Sequence, residues 1–325
     1  MLRRSFHTLG CLLFSVFWGL SAHAQDWPAK PIRLIVPYQA GGGVDAAARL
    51  VAQHWAAVLG QPVLVEPKPG GGTVIGADLV AKSAPDGYTL LLTGGSTMSL
   101  LPLTQAGKLP FDPNSDFAPI GIVSRMPFFL FASAQSPYGT LKDLLTDART
   151  KTGQLAFASN GIGSMSHLGS ALLTQSGGVE MIHVPYQGFT PAISDLVSGR
   201  VVMVMSDLAP VKAQLQAGTL RALAVASTQR SRFVPEAPTL AEAGYPGQEF
   251  EIWLAVYAPA KTPSSIVSRL STELRKFMEM PNTREAFNKL GHETDGSGPD
   301  AVKKRIETEL KSMQPVVKSA GLLNK

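Results

Sequence analysis

Short apolar runs alternate along most of the chain with segments whose apolar residues recur at helical spacing. The apolar runs are rich in Val, Ile and Leu, as buried strands are, and they cover residues 32–36, 63–65, 88–93, 155–159, 180–186, 201–207 and 220–227. The helical segments cover residues 44–59, 73–82, 141–150, 164–176, 191–198 and 208–217. This alternation predicts an α/β protein with mainly parallel sheets that helices flank on both faces.

The two series of strands and helices predict two similar lobes. Two extended runs, residues 118–132 and 251–258, separate the series, and the chain turns mostly helical towards its C-terminus. If both runs cross between the lobes, lobe 1 comprises residues 25–125 and 253–325, and lobe 2 comprises residues 126–252. A discontinuous first lobe joined to the second by two crossing strands is a hinge arrangement.

The first 24 residues have the pattern of a cleavable signal peptide. Arg3 and Arg4 precede an apolar core at residues 9–20, and an Ala-His-Ala sequence ends at Ala24. The core is much shorter than the ~20 residues that span a bilayer. Cys11 lies inside this core, which disfavours it as a lipid attachment site. We therefore expect export to the periplasm and cleavage after Ala24.

Composition excludes several classes of protein. The 325 residues are 45% hydrophobic and 16% charged and include one cysteine, which excludes a disordered chain and a disulfide scaffold. The formal charge of +5 falls to +3 without the predicted signal peptide, and the densest basic group, residues 303–305, lies in a predicted helix beside Glu307 and Glu309. Because the basic residues are scattered, we expect no nucleic-acid partner. We also expect a monomer.

Three turns share one construction, in which a strand is followed by glycine or small residues and then by the start of a helix. They lie at residues 36–45, 67–73 and 159–167. Glycine lets the backbone approach a ligand closely, and the N-terminus of the following helix presents unpaired N–H groups with the positive end of its dipole. In open α/β sheets, ligands bind at the carboxyl ends of the strands. These turns therefore predict a site for a carboxylate or another anion.

Other chemistries find little support. Residues 41–46 formally satisfy a dinucleotide fingerprint, but Asp45 would place a negative charge beside the pyrophosphate. The four histidines after the signal peptide are not at the spacing of metal ligands; they are His54, His167, His183 and His292. Ser164 and Ser166 precede His167, but neighbours on a helix point apart and do not form a nucleophile–base pair. We expect no cofactor, no metal and no catalytic residue.

Several single residues allow two interpretations. Asp45 and Arg49 are four apart on the first helix and predict an ion pair, although the carboxylate of Asp45 could instead hold a ligand amine or a bridging water. Asp207 ends an apolar strand and is expected where the sheet meets the cleft. Tyr38 and Tyr186 each follow a Val-Pro at the end of a strand, so they either form a wall of the ligand site or pack in the core.

Five stretches of the mature chain carry a resemblance to a known family. They read PIRLIVPYQAGGGVDAAAR, PGGGTVIGADLVAKSAPDGYTLLL, FASNGIGSMSHLG, HVPYQGFTPAISDLVSGRVVMVMSD and PEAPTLAEAGYPG. In these stretches the chain resembles the periplasmic solute-binding proteins of tripartite tricarboxylate transporters, often called the Bug family, over about residues 28–295. The resemblance implies a two-lobe Venus-flytrap fold that closes on a small organic carboxylate and delivers it to a membrane permease.

The resemblance also implies which residues bind the ligand, partly through ordered waters. In lobe 1 it points to Tyr38, Ala40, Gly41, Gly42 and Asp45, with Ser96 and Thr97 at the distal part of the ligand; in lobe 2 it points to Gly163, Ser164, His167, Tyr186 and Asp207. The chain departs from the usual family pattern at Val44, Pro67 and residues 160–162. These departures bear on the identity of the ligand more than on its class.

Two further functions remain open from the residues. Hydroxyl and carboxylate groups at strand ends would suit an exported α/β enzyme, of hydrolase type, that uses Ser164 or Asp45. An exported sensor that presents its closed form to a membrane partner would share every sequence feature of a transport receptor. We favour a non-enzymatic receptor because the two lobes, the paired turns and the signal peptide all fit it.

Overall fold

A computed structural model describes residues 27–248, 250–319, 321 and 323. The predicted signal peptide and its cleavage site after Ala24 lie outside these residues. The strands are β1 (Ile32–Val36), β2 (Val63–Pro67), β3 (Thr89–Gly94), β4 (Phe117–Pro127), β5 (Phe129–Ser133), β6 (Ala156–Ser159), β7 (Ile182–Pro185), β8 (Met203–Ser206), β9 (Leu220–Val225), β10 (Glu251–Pro259) and β11 (Glu293–Thr294). The α-helices are α1 (Gly43–Leu59), α2 (Val74–Ala81), α3 (Leu101–Thr104), α4 (Leu141–Thr150), α5 (Met165–Ser176), α6 (Phe189–Val197), α7 (Lys212–Gln216), α8 (Ser264–Glu279), α9 (Pro281–Lys289) and α10 (Pro299–Ser319).

The strands form two sheets, which gives the predicted α/β architecture. The first sheet has the order β11-β4-β10-β3-β1-β2 and the second the order β7-β6-β8-β5-β9. In the first sheet β1, β2, β3 and β4 run in one direction, whereas β10 and β11 run in the other. In the second sheet β5 is inserted antiparallel between β8 and β9. Each sheet is therefore mainly parallel in strand direction, with antiparallel strands inserted next to the crossings.

The periodic segments fold as predicted, with boundaries displaced by at most two residues for the seven predicted strands and for five of the six helices that flank them. The sixth, predicted over residues 208–217, is a 3₁₀ turn at Ala209–Val211 followed by the short α7. The sequence pattern did not predict the π-helical turn at Ser96–Leu100. Its polar residues resemble a loop in sequence, but α10 packs on this turn and helps to bury it.

The chain passes between the sheets twice, at neighbouring points. It leaves the first sheet at Pro127 and enters the second at Phe129. It returns through Phe250, whose N–H donates to the carbonyl of Ala226 at 2.6 Å, and Glu251 then pairs with Pro127. The two crossings therefore lie side by side, as a hinge requires; the division into lobes at residues 125/126 and 252/253 stays a prediction.

Apolar side chains cover both faces of each sheet. On the first sheet Leu34 packs in the cluster that contains Trp55, and the next residue, Ile35, packs in the opposite cluster with Tyr257. This two-sided burial explains why the strands read as continuous apolar runs. The last helix joins the two halves, because Ile306 of α10 packs in a core of the first sheet while Met313 packs in a core of the second.

Candidate ligand-binding site

A cavity of about 320 Å³ opens between the two sheets. Residues that follow strands β1, β3, β6 and β8 line it, so the carboxyl ends of both sheets meet there. The crossing strands and the segment between α9 and β11 complete the wall. The lining residues are Tyr38, Gly43, Val44, Gly95, Ser96, Met126, Met165, Asp207, Leu208, Ala209, Glu251, Ile252, Leu254, Leu290, Gly291 and His292.

The side chain of Asp45 stabilises the turn between β1 and α1. Gly41, which has a φ of +83°, donates its N–H to Asp45 Oδ2 at 3.0 Å. Arg49 donates to the same oxygen from Nε at 2.9 Å and to Oδ1 from Nη2 at 3.2 Å. These bonds, with that from Arg49 the strongest, lower the pKa of Asp45. The predicted ion pair is confirmed, and both carboxylate oxygens are engaged within the turn.

The N-terminus of α1 is open to the cavity. Its N-cap is Gly42, which has an extended backbone (φ −81°, ψ 172°) and no side chain to cap the helix. The first intrahelical bond runs from the N–H of Ala46 to the carbonyl of Gly42 at 3.0 Å. Within the described chain, the N–H groups of Gly43 and Val44 have no acceptor, and both residues line the cavity. Two donors and the positive end of a 17-residue helix therefore face the cavity, as an anion site requires.

A chain of hydroxyl groups connects the cavity wall to the second glycine-rich turn. The Tyr38 hydroxyl lies 3.4 Å from Thr93 Oγ1, which lies 2.6 Å from Thr97 Oγ1, which in turn lies 2.8 Å from Thr73 Oγ1. Thr73 adopts a φ of +88°, a left-handed conformation that is costly for a β-branched residue. Its bond to Thr97 helps to hold this strained turn. Thr97 is fully buried behind the cavity, whereas its neighbour Ser96 lines it.

The turn between β6 and α5 bonds several of its own N–H groups. Ser164 caps α5, accepting from the N–H of His167 at 3.2 Å and donating to the carbonyl of Gly161 at 2.7 Å. The N–H of Gly163 donates to His167 Nδ1 at 3.1 Å. The N–H groups of Gly163 and His167 are thus bonded within the turn, whereas those of Met165 and Ser166 have no acceptor in the described chain, and Met165 lines the cavity.

Two stacked histidine rings contact residues of this turn. His167 and His183 stack with their centroids 3.9 Å apart and their planes within 8° of parallel. Burial lowers the pKa of both, and burial together with the charge of His167 brings that of His183 to about 4. His183 Nε2 lies 2.7 Å from Ser159 Oγ, a contact that the sequence did not predict. Because Ser159 is fully buried and also bonds Gly161, this serine–histidine pair supports the turn and does not form an accessible nucleophile.

Tyr186 and Asp207, the remaining two predicted site residues near the second sheet, lie in different surroundings. Tyr186 donates its hydroxyl to Asp195 Oδ2 at 2.7 Å and packs against the core, and burial followed by this bond raises its pKa to about 12. Asp207 lines the cavity, and its Oδ1 accepts from the N–H of Ala209 at 2.9 Å. Burial raises the pKa of Asp207.

The structure brings three predicted site residues into one cavity, namely Tyr38, Ser96 and Asp207. The others lie in the turns and contacts described above or, for Ala40, on the exposed tip of the first turn, and their contact with a ligand stays a prediction; they are Ala40, Gly41, Gly42, Asp45, Thr97, Gly163, Ser164, His167 and Tyr186.

Sequence reasoning missed two polar groups of the cavity, Glu251 and His292. Glu251 begins a crossing strand that the pattern did predict, so its position next to the cleft could have been inferred. His292 lies in the mostly helical C-terminal region, where no pattern pointed to a site. No lysine or arginine occurs among the described residues that line the cavity, and the described part of the chain holds no cluster of acidic or histidine side chains suited to a metal ion.

A family model described as the tripartite tricarboxylate transporter family receptor matches residues 47–322. The chain belongs to this family. This confirms the relationship that the five sequence stretches indicated. Among the residues with described positions, no helix combines the length and apolar character needed to cross a bilayer.

Relatives and solved structures agree with this membership. The chain is 34% identical to the protein BugT of Bordetella pertussis over 311 residues, which cover 95% of both chains. The structure of R. palustris Rpa4515 with adipate superposes with a TM-score of 0.72 at 33% identity, covering 91% of this chain and 99% of that one. MatC from Rhodopseudomonas palustris, solved with bound malate, gives a TM-score of 0.68 at 30% identity, covering 89% and 99%. The receptor fold predicted from the sequence is therefore confirmed.

Proposed function

We propose that this receptor binds a small organic carboxylate in the cavity between its two sheets and delivers it to a tripartite tricarboxylate-type transporter from the periplasm. The observation that carries the proposal is the open N-terminus of α1, which presents the unpaired N–H groups of Gly43 and Val44 to a cavity of about 320 Å³. Such a helix end stabilises a carboxylate without a basic side chain.

The rest of the cavity fits the body of a small acid. Its wall is largely apolar, with side chains such as Met126, Met165 and Ile252, and it carries hydroxyl groups from Tyr38 and Ser96. Apolar walls with a few oriented polar groups are typical of small-molecule sites. Support for the class of ligand comes from two relatives whose structures contain adipate and malate.

Hinge closure supplies the mechanism of retention. The two sheets contribute opposite walls of the cavity and are joined by crossings that lie side by side at Pro127 and Glu251. A ligand that contacts both walls stabilises the closed arrangement by its difference in affinity for the two arrangements. The receptor needs no bond-making step, and we assign no catalytic residue.

Binding of organic acids to purified mature protein tests the proposal. A thermal-shift panel of malate, adipate, glutamate and benzoate should contain at least one ligand that raises Tm, because a ligand at 100 times its Kd stabilises the folded state by about 2.7 kcal/mol. Native mass spectrometry of freshly purified protein should show a retained small acid. If the protein is freed of bound ligand and no organic acid changes its Tm, the proposal is wrong.

A matched pair of variants places the site. Val44→Trp fills the cavity at the N-terminus of α1 and should abolish the shift, whereas Val58→Trp adds the same side chain to an exposed position of the same helix and should leave it intact. Binding that survives Val44→Trp would place the ligand elsewhere.

A further inference from the structure

His292 lines the cavity from a segment that the sequence did not assign to the site. The segment follows α9 through Gly291, whose φ of +77° ends the helix, and the N–H of His292 donates to the carbonyl of Phe287 at 3.0 Å. The next two residues form β11, which pairs with β4. Backbone contacts on both sides therefore fix the position of the imidazole, which is only 2% exposed.

Ser124 determines which nitrogen of His292 carries the proton. Its Oγ lies 3.2 Å from His292 Nδ1, and Ser124 is fully buried on β4. Its hydroxyl has no other hydrogen-bond partner in the described chain. A buried hydroxyl hydrogen needs an acceptor, so Oγ donates to Nδ1. Since a neutral imidazole carries one proton, that proton resides on Nε2.

The Nε2 atom of His292 lies beside the open N-terminus of α1. A Cβ atom built on Gly43 would be 3.3 Å from Nε2. Within the described residues Nε2 has no hydrogen-bond partner, as is also true of the N–H groups of Gly43 and Val44. Three donors without acceptors therefore lie in the same corner of the cavity.

The imidazole is neutral at neutral pH, because burial lowers the pKa of His292 to about 4. The other titratable groups that line the cavity are Tyr38, Asp207 and Glu251, and none of them supplies a positive charge. A neutral N–H donor suits this environment, because it binds a carboxylate oxygen without the desolvation cost of a buried cation.

We infer that His292 is a ligand-binding residue that donates its Nε2–H to the carboxylate held at the N-terminus of α1, and that Ser124 is a positioning residue that fixes the tautomer. The inference rests on the proposed carboxylate receptor and names a contact beyond those that the sequence predicted. It places the anchored carboxylate between the first turn and the C-terminal segment of the first sheet.

Calorimetry with the tightest-binding acid of malate, adipate, glutamate and benzoate tests the contact. His292→Leu removes the donor and should weaken binding about 10- to 100-fold, the range for a hydrogen bond to a charged group. His292→Gln restores an N–H near the position of Nε2 and should recover most of this loss. His54→Leu, a change at a half-buried histidine that does not line the cavity, should bind as the wild type.

The outcomes separate the inference from the proposed function. If no acid binds the wild type, both fail. If the wild type binds an acid and folded His292→Leu binds it equally well, the inference is wrong and the receptor function stands.

A second measurement needs no substitution at His292. Long-range ¹H–¹⁵N NMR of the wild type at pH 7 should show His292 as the Nε2–H tautomer, and addition of the acid should shift the Nε2 proton. Ser124→Ala should produce a mixture of tautomers and weaken binding about threefold. An Nδ1–H tautomer in the wild type, or an Nε2 signal that the acid leaves unchanged, would overturn the inference even if His292→Leu failed to fold.

Discussion

The rings of His167 and His183 stack 3.9 Å apart beneath the turn that begins α5. His167 is buried and His183 is half-buried, and desolvation lowers the pKa of both, that of His183 to about 4 from an ordinary value of 6.5. The unfolded chain binds protons on these residues at a higher pH than the folded chain does. The contribution of the neutral histidines to the free energy of unfolding is therefore fully present above about pH 6.5 and is lost as the pH falls towards 4.

A substitution at His183 should reduce this acid sensitivity. His183→Gln removes the titrating group, while the glutamine amide can still reach Ser159 Oγ. Between pH 7 and pH 4.5 the free energy of unfolding should fall in both proteins, but by about 1–2 kcal/mol less in the variant than in the wild type. Urea denaturation at several pH values measures the difference. At pH 8 residue 183 is neutral in both proteins, so the difference between their free energies of unfolding at this pH is the reference. If that difference stays the same down to pH 4.5, His183 does not cause the acid sensitivity.

Thr97 should contribute to stability through its hydroxyl group. Thr97→Val leaves the side-chain oxygens of Thr73 and Thr93 without this partner behind the cavity and should lower the free energy of unfolding by about 1–3 kcal/mol. Thr97→Ser retains the hydroxyl and is the control, since it should lose less. Chemical denaturation of the three proteins checks the order, and an equal loss in both variants would assign the effect to packing instead.

Gly43→Ala should weaken ligand binding with little effect on stability. The added methyl group would lie 3.3 Å from His292 Nε2, so either the imidazole or the helix end must move, whereas alanine is well tolerated in the first turn of a helix. We expect Kd to rise about 10-fold by calorimetry. Gly298→Ala is a matched control before α10, where the nearest atom is Ser271 Oγ at 3.7 Å. Unchanged binding in Gly43→Ala would show that this corner does not touch the ligand.

Asp207→Asn should stabilise the ligand-free protein at neutral pH. Burial raises the pKa of Asp207, so ionisation of its carboxyl group destabilises the folded state as the pH rises above the pKa of the unfolded chain. Asparagine keeps an oxygen that can accept from Ala209 and removes the charge, so we expect a gain of about 1 kcal/mol by urea denaturation. Asp300→Asn, at a fully exposed side chain, should change little. A loss of stability in Asp207→Asn would reveal an undetected favourable contact of the carboxylate.

The pattern of apolar residues alone predicted most of the strands and helices. A strand whose sheet is buried on both faces is a continuous apolar run, and a helix that is buried on one face has apolar residues at helical spacing. Residues 32–36 and 141–150 illustrate this, since the predicted and observed boundaries coincide. The extended runs at residues 118–132 and 251–258 likewise became the crossing strands, although the sequence did not predict that antiparallel β10 would insert between β3 and β4.

Sequence motifs also located the first glycine-rich turn, but they did not show which of its N–H groups are free to bind a ligand. Sequence spacing predicted the bond between Asp45 and Arg49, since residues four apart on a helix are neighbours. Which N–H groups stay unpaired depends on the surrounding turn. Gly42 has no side chain to cap the start of α1, whereas at the start of α5 the hydroxyl of Ser164 accepts from the N–H of His167, and His167 Nδ1 accepts from the N–H of Gly163.

The sequence by itself determined the fold class and the family, because these depend on local periodicity and on contiguous motifs. Only the tertiary structure decided which residues share the cavity. His292 and Ser124 are 168 positions apart in the chain, and they meet because β11 pairs with β4. Contacts at such separation leave no periodic trace in one sequence, so the polar corner beside Gly43 could be found only from the fold.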